Sequence, residues 1–375
     1  MSMKQKILIE GVGSFLPPQY IVDAREAQSR GQMTAEEVRR EENKVVDDIV
    51  ERQLAAGLRE VTSGEIRRHR WDKDFWLGFK GIELEHVDTG YIYEPVEPYT
   101  DVIRVVDRIE ANPQHPFLSG FRYLLDKVNG RAVCRQTIPS PANLYAEIVG
   151  SSQGNIASVY PYSDDLVADI AKAYNDTLKS YYDGGCRSVQ FDDTVIGRLC
   201  DMSYEKELLR GGIDMNKYQA DIIRVLNQSV AGLPADMQVS LFISGGDVAV
   251  PRWSASEEPD NIVPKVLRDV NINKFYMPFD PSNLESIAVL KHLPADKRVV
   301  VGLVNAHTPW ADGFMDFNTA LDEVLKYVPA ERLAVSPQTG FKLSGTLRRG
   351  LTYEDQWRKL KMLSDALEGK TVVSR

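Results

Sequence analysis

Short strand-like runs that alternate with helical patterns constrain the fold of this chain more than any other feature. Eight runs of four to eight residues are rich in β-branched side chains and are bounded by Gly, Pro or Asp, as buried strands are. The alternation of such strands with helices predicts an α/β fold of the (β/α)8 barrel type. The predicted strands span residues 6–13, 60–63, 131–138, 187–191, 238–243, 274–277, 298–303 and 332–335.

Amphipathic stretches between these strands predict the helices. Thr34 and Glu37 have the spacing of a capping box, which marks the start of the first helix. In the next one, apolar residues such as Leu166, Ile170 and Leu178 recur at helical spacing. The predicted helices span residues 34–56, 163–182, 215–231, 262–270, 284–292, 317–328 and 352–367.

A doubly wound open sheet is the alternative fold. Such sheets bind dinucleotides through a glycine-rich turn, and the nearest candidate, Gly11 and Gly13, lacks a third glycine at the required spacing. We therefore predict one barrel domain over residues 1–375. Its Tyr- and Glu-rich segment 81–114 does not fit a plain strand–helix unit, and it predicts a hairpin or lobe inserted after the second strand.

Composition and charge disfavour several classes of partner. The formal net charge is −9 with both signs interspersed, which argues against nucleic acid or a membrane surface and for a small-molecule partner. The three cysteines lie far apart, so we expect no disulfide framework and a cytoplasmic location. The sequence shows no basic-then-apolar leader and no run near the ~20 apolar residues of a membrane span. Assembly into a homo-oligomer stays open.

Polar residues follow each predicted strand, at the end of the barrel where active sites form. Two adjacent carboxylates follow the fourth strand, and neighbouring strand residues point to opposite faces. Asp192 is predicted to face inward because it shares a face with Gln190, while Asp193 caps the next helix or pairs with an arginine. These strand ends together predict a polar pocket at the barrel mouth.

Two further residues in the predicted mouth are candidates for proton transfer. Glu65 is a candidate to hold a substrate ammonium or to accept a proton, or else to pair with Arg67 or Arg68. His307 directly follows a continuous apolar strand and is an acid/base candidate. We assign both to the catalytic set together with Asp192, and we include Arg67 among the residues that contact the substrate.

The loop after the fifth strand supplies more candidate substrate contacts. Arg252 and Trp253 could hold a carboxylate or stack on a flat ring, or they could simply pack beneath the loop. Asp247 is also a candidate contact. Asp247, Asp280 and His307 offer hard ligands to a relocated metal, but no His-x-His or Glu-x-x-His spacing supports such a site.

Five segments, in order along the chain, resemble the cobalamin-independent methionine synthases, and most closely their short, single-barrel relatives. The segments are VGSF (12–15), SGEIRR (63–68), VQFDDT (189–194), GLVNAHTP (302–309) and LAVSPQTGF (333–341). The resemblance implies a barrel of the methionine synthase/uroporphyrinogen decarboxylase type. It also implies that Ser14, Glu65 and Asp192 bind the amino acid substrate and that His307 donates a proton.

The resemblance places zinc ligands at four positions where this chain has other residues. The family's His-x-Cys pair falls on Phe242 and Ser244, its glutamate at or near Pro278, and its last cysteine on Thr339. None of these side chains is a competent zinc ligand. In the family, zinc activates the thiolate of homocysteine, which a free thiol of pKa about 8.5 supplies poorly at neutral pH. We therefore expect no zinc and no other resident cofactor, with methylated folate as a candidate donor.

Three functions fit these residues. We expect a methyl or alkyl transferase that acts on a small amino or carboxylic acid or a methylated substrate, without a metal-activated thiolate. A lyase or decarboxylase is the first alternative, since the resemblance extends to uroporphyrinogen decarboxylases, which share the barrel and need no metal. A non-catalytic protein that binds a small molecule is the second.

The purified protein is predicted to carry no stoichiometric zinc. The physical reason is that the four positions offer no imidazole, carboxylate or thiolate. Elemental analysis of protein purified without chelators measures the metal content directly, and a value near one zinc per chain would contradict the prediction.

Overall fold

Eight parallel strands form a curled sheet in which neighbours along the chain are also neighbours in space. The computed structural model describes residues 4–93, 97–150, 156–245, 251–258, 261–308, 316–342, 350–368 and 371–373. Opened between its two end strands, the sheet runs β3–β6–β7–β8–β9–β10–β11–β2. The strands are β1 (Lys4–Lys6), β2 (Leu8–Ile9), β3 (Glu60–Val61), β4 (Lys80–Tyr93), β5 (Glu97–Glu110), β6 (Val133–Pro139), β7 (Ser188–Asp193), β8 (Gln238–Ile243), β9 (Lys274–Pro278), β10 (Arg298–Val304), β11 (Leu333–Pro337) and β12 (Thr371–Val373).

Helices connect these strands and cover the outside of the sheet. The long α2 begins after Thr34, whose hydroxyl accepts from the Glu37 amide while the Glu37 carboxylate accepts from the Thr34 amide, so the predicted capping box is formed. The helices are α1 (Gln19–Ser29), α2 (Ala35–Ala55), α3 (Lys73–Trp76), α4 (Pro116–Val128), α5 (Pro141–Gly150), α6 (Ile156–Val159), α7 (Ser163–Asp183), α8 (Val195–Arg198), α9 (Met202–Arg210), α10 (Met215–Ser229), α11 (Ile262–Asp269), α12 (Phe317–Val324) and α13 (Tyr353–Leu367), with 3-10 helices at Leu284–His292 and Ala330–Arg332.

The two end strands β2 and β3 are short, and loop contacts just beyond them bring them together. The Phe15 amide donates to the Gly64 carbonyl at 3.0 Å. The Thr62 hydroxyl donates to the Gly13 carbonyl at 2.6 Å. The predicted (β/α)8 barrel is thereby confirmed, and Ser14 and Glu65 lie just beyond this junction.

The predicted insertion after the second strand of the barrel contains a long antiparallel ribbon. Strands β4 and β5 pair along their length, with Ile82 opposite Val105 and Leu84 opposite Ile103. Ile82, Ile103 and Val105 are buried, so this part of the ribbon packs on the protein. Among the described helices, none is long and apolar enough to cross a membrane.

Inward-facing side chains fill the barrel in two chemically different sets. One is apolar: Val12, Phe242, Tyr276, Val300 and Ala334 pack together. This arrangement follows from strand geometry, since alternate residues of each strand point into a barrel. Phe242 therefore points into the barrel and is 8% exposed.

The second set is a buried cluster of opposite charges. Lys274 Nζ lies 2.6 Å from Glu10 Oε2 and 3.1 Å from Glu60 Oε1. Arg135 Nη1 lies 3.3 Å from Glu10 Oε2 and 3.2 Å from Glu60 Oε2. The Tyr276 hydroxyl donates to Glu10. Two acids and two bases balance, which is the condition under which charges can be buried at tolerable cost.

Removing one charge of this cluster is predicted to destabilise the fold. Lys274→Met keeps most of the side-chain volume but leaves two buried carboxylates with a single guanidinium, at a cost of about 3–5 kcal/mol in unfolding free energy. Urea unfolding measures the change.

The matched control is Lys172→Met, which removes an exposed ion pair with Asp176 on α7. That change should stay within about 0.5 kcal/mol. Equal losses in the two variants would contradict the interpretation of the buried cluster.

Candidate functional site

Glu65 is held at the barrel mouth in an uncommon backbone conformation. Its φ is 57° and that of the preceding Gly64 is 67°, so both residues lie in the left-handed region. Non-glycine residues seldom adopt this region, and such strain concentrates at functional sites. The backbone therefore supports a functional role for the Glu65 carboxylate.

Two side chains fix the position of that carboxylate. The Thr137 hydroxyl donates to Glu65 Oε1 at 2.7 Å. Arg68 Nη1 lies 3.3 Å from Glu65 Oε2, and Arg68 Nη2 donates to the Thr137 hydroxyl at 2.8 Å. Gly13 makes room for this arrangement, because a Cβ there would stand 2.8 Å from Thr137 Cγ2 and 3.1 Å from Glu65 Oε1.

Asp192 lies close enough to Glu65 for the two charges to interact. Gln190 Nε2 donates to Asp192 Oδ1 at 2.6 Å, as their shared face predicts. Burial, followed by repulsion from Glu65, raises the pKa of Asp192 to about 8, against the attraction of Arg68 and Arg135. This shift lets Asp192 hold its proton to a higher pH than an ordinary aspartate does.

Asp193 points the other way and is fully buried. The Ile196 amide donates to Asp193 Oδ1 at 2.8 Å at the start of α8, and the Ser140 hydroxyl donates to Oδ2. This is the capping alternative proposed for the second carboxylate of the pair.

Ser14 and His307 both contact the segment that follows β11. The Phe341 amide donates to the Ser14 carbonyl at 3.0 Å, and the Lys342 amide donates to the Ser14 hydroxyl at 3.3 Å. In the same segment, Thr339 Oγ1 lies 2.8 Å from His307 Nε2. Ser14, Glu65, Asp192 and His307 thus lie on strand ends of the same barrel mouth.

Lys342 is a mouth residue that sequence reasoning missed. Its Nζ donates to the Arg68 carbonyl at 2.7 Å. Burial, together with cationic Arg25 and Arg68, lowers the pKa of Lys342 to about 8, although Glu65 and Asp74 act in the opposite direction. No periodic pattern marks this residue, because it lies in a loop beyond β11.

The side chains of Arg67 and Arg68 lie in different environments. Arg67 Nη2 donates to Asn43 of α2 at 2.5 Å, and its guanidinium lies 4.7 Å from the ring centre of Tyr123 on α4. The predicted substrate contact Arg67 therefore packs among the outer helices, while Arg68 faces the mouth. Thr137 could have been found from sequence, because it lies two residues after Arg135 on β6 and therefore points to the same, inward face.

The loop after β8 is described in part. Trp253 is 6% exposed, its indole Nε1 donates to the Pro278 carbonyl at 2.5 Å, and its ring packs on Phe279, so it adopts the packed alternative. Arg252 is exposed and lines an open cleft of about 290 Å³ with Asp280 and Asn283. Asp247 lies outside the described residues.

The positions where the resemblance implies zinc ligands are occupied in other ways. Phe242 belongs to the apolar set inside the barrel, and Thr339 contacts His307. Pro278 offers only a carbonyl, which Trp253 engages. Across the described ranges, no three His, Cys, Asp or Glu side chains converge as a metal site would require.

The pKa of Asp192 predicts an effect of pH on stability. The ordinary Asp pKa is about 3.9, so from there up to its folded value Asp192 holds a proton that the unfolded chain has lost. The unfolding free energy should therefore fall as pH rises through this window.

Asp192→Asn removes that dependence. As pH rises from about 4 to about 9, the unfolding free energy of the variant should increase relative to that of the wild type by on the order of 1 kcal/mol or more. Urea unfolding across the range measures it, with exposed Asp183→Asn as the control. A wild-type-minus-variant difference that is flat with pH would contradict the assignment.

This chain is similar to known proteins over most of its length. The family described as "Cobalamin-independent synthase, Catalytic domain" matches residues 161–350, just over half of the chain. The uncharacterized protein YxjH of Bacillus subtilis is 29% identical over 94% of this chain and 92% of its own length. A methionine synthase of Saccharolobus solfataricus is 22% identical over 92% of this chain and 90% of its own.

A solved structure extends the likeness to the whole barrel. The putative vitamin-B12 independent methionine synthase from Listeria monocytogenes superimposes with a TM-score of 0.74 at 27% identity, covering 97% of this chain and 98% of its own. This chain belongs to the family of the cobalamin-independent synthase catalytic domain.

Proposed function

We propose that this protein transfers a methyl or other small alkyl group, with a small amino or carboxylic acid as substrate and without a metal-activated thiolate. Membership of the cobalamin-independent synthase family supports enzymatic activity. The finer assignment depends on which side chains stand at the implied zinc positions and which groups the mouth offers to a substrate.

The proposal rests on the side chains that occupy the four positions where the resemblance implies zinc ligands. A phenyl ring that packs with Val12, Tyr276, Val300 and Ala334 has no lone pair to offer a metal. The remaining positions carry a serine, a proline and a threonine. These residues do not fit zinc, so the proposed reaction uses an acceptor or donor that is reactive without it.

Other strand ends of the barrel mouth carry groups suited to an amino acid. Glu65 and Asp192 lie close enough to repel each other, and this repulsion helps raise the pKa of Asp192. A substrate ammonium placed between them would supply the missing positive charge and replace the proton on Asp192. Ser14 and Lys342, which are hydrogen-bonded to each other, supply groups that suit the carboxylate end.

His307 is assigned to proton transfer. In the proposed step a lone pair of the acceptor atom forms a bond to the methyl carbon while the bond from that carbon to the donor breaks. The electron pair of the broken bond stays on the donor atom, which takes a proton from His307. Methylated folate is a candidate donor, since the leaving nitrogen of such a donor needs protonation.

A transfer assay tests the proposal. Methylated folate or an S-methyl compound is incubated with a panel of amino acid acceptors that includes homocysteine, and methylated product is measured by mass spectrometry with chelator and with added zinc. We expect turnover that the chelator leaves unchanged.

Variants link any turnover to the site. His307→Gln should reduce turnover by about 100-fold or more, whereas exposed Asp183→Asn should leave it unchanged. Turnover that appears only with zinc, or ligand binding without turnover across the panel, would overturn the proposal.

A further inference from the structure

Thr339 and His307 come together because they follow adjacent parallel strands. His307 lies three residues beyond the end of β10, and Thr339 lies two residues beyond the end of β11. The Gln338 amide donates to the Val304 carbonyl at 2.8 Å, which continues the pairing past the strand ends. The contact between the Thr339 hydroxyl and the His307 ring, at 2.8 Å, is therefore set by the barrel.

Further hydrogen bonds hold both partners. Asn305 Oδ1 accepts from the His307 amide at 2.7 Å and from the Thr308 amide at 3.3 Å, which fixes the turn that carries the imidazole. Buried Lys359 donates to the Asn305 carbonyl at 2.8 Å. Gln338, next to Thr339, donates to the Phe279 carbonyl at 2.7 Å.

The direction of the contact follows from the hydrogens available. A threonine hydroxyl has one hydrogen to donate and lone pairs to accept with. The Thr339 hydroxyl donates to the Gly340 carbonyl at 2.9 Å. While the hydroxyl hydrogen points to Gly340, a hydrogen bond to His307 Nε2 requires that this ring nitrogen carry the hydrogen and donate it.

We propose that Thr339 is a positioning residue that holds the neutral His307 ring as its Nε2–H tautomer, so that Nδ1 is the nitrogen that takes up and returns the proton. The role of His307 as a proton carrier rests on the proposed function, whereas the tautomer itself does not. By the resemblance, Thr339 stands where the family has its last cysteine ligand. Where the resemblance implies a metal ligand, this chain therefore offers a hydroxyl that orients the histidine.

The proton balance of the step is simple. Protonated His307 carries hydrogen on both ring nitrogens, and the Nε2 hydrogen stays on Nε2 throughout, where it donates to the Thr339 hydroxyl oxygen. The Nδ1 hydrogen moves to the leaving donor atom, whose lone pair forms the new bond, and the ring returns to the neutral Nε2–H form. A proton from solvent or from the acceptor then restores Nδ1–H.

Nitrogen NMR of the full-length protein tests the tautomer without an activity assay. The protein is labelled with 15N-histidine, and the signal that disappears in His307→Gln, among those of the five histidines, is assigned to His307. Above the pH at which the ring loses its proton, the 15N shifts report which nitrogen carries hydrogen. The inference expects Nε2–H in the wild-type protein, and a wild-type ring that is mainly Nδ1–H would overturn it.

Two substitutions separate the hydroxyl from the bulk of the side chain. Thr339→Val keeps the shape and removes the hydrogen bond, so the ratio of Nε2–H to Nδ1–H should fall by roughly 2- to 10-fold. Thr339→Ser keeps the hydroxyl and should retain the wild-type ratio. An unchanged ratio in Thr339→Val, or a ratio in Thr339→Ser as low as that in Thr339→Val, would overturn the inference.

The test of the tautomer can be distinguished from the test of methyl transfer. A tautomer that responds to Thr339→Val in a protein without methyl transfer would sustain the positioning role and remove only the transfer reaction. Where transfer is observed, Thr339→Val should slow it and Thr339→Ser should restore it. Turnover that Thr339→Val leaves unchanged would show that the tautomer does not serve the reaction.

Discussion

The buried cluster of Glu10, Glu60, Arg135 and Lys274 is the interaction on which the rest of the barrel depends. Glu10 and Glu60 lie on or next to the two short end strands, β2 and β3, which have few ladder hydrogen bonds of their own. Arg135 and Lys274 reach both carboxylates from β6 and β9, and so tie the ends of the sheet to its middle. Ser14 and Glu65 lie in the loops that follow those end strands, so the cluster anchors the strands from which these loops begin.

Above this cluster, the implied metal positions and the proposed substrate groups lie on neighbouring strands of the barrel mouth. Phe242 on β8 continues the apolar filling of the barrel, where the family resemblance implies an imidazole, and it pairs in register with Asp192 on β7. Glu65, Arg68 and Thr137 form a connected polar group, and Glu65 also interacts with Asp192. Glu65 is held by Thr137 and Arg68, and Asp192 by Gln190, none of which stands at an implied metal position. This arrangement supports the proposal that the mouth binds a substrate although the residues at the implied metal positions do not fit zinc.

Much of the fold was predictable from local pattern. The strand predicted at 238–243 has the bounds observed for β8, and the capping box at Thr34 marks the start of α2. The sequence predicts the first strand over 6–13, but only Leu8–Ile9 pair with β11 in the barrel, while Lys6 pairs with Thr371 in a separate two-stranded sheet. The charged cluster was not foreseen, since charged residues in a strand indicate a solvent-facing position unless the partners from distant strands are known.

The candidate site was likewise predictable from sequence only in part. The inward position of Asp192 followed from its shared face with Gln190, a short-range argument that holds in any strand. The choice between Arg67 and Arg68 could not be made from sequence, because the left-handed conformation of Gly64 and Glu65 interrupts the regular alternation of side chains just before them. Thr339 was noted only as a missing ligand, and its contact with His307 becomes visible only when β10 and β11 are placed side by side.

The central claim is that the mouth binds an amino acid where zinc would no longer be held. Diffraction at the zinc absorption edge, from crystals soaked with zinc and methionine, tests both halves of it in one measurement. The account predicts electron density for methionine with its ammonium between Glu65 and Asp192, and no anomalous peak beside Phe242, Ser244 or Thr339. An anomalous peak within coordination distance of Ser244 or Thr339, or methionine bound outside the mouth, would contradict it.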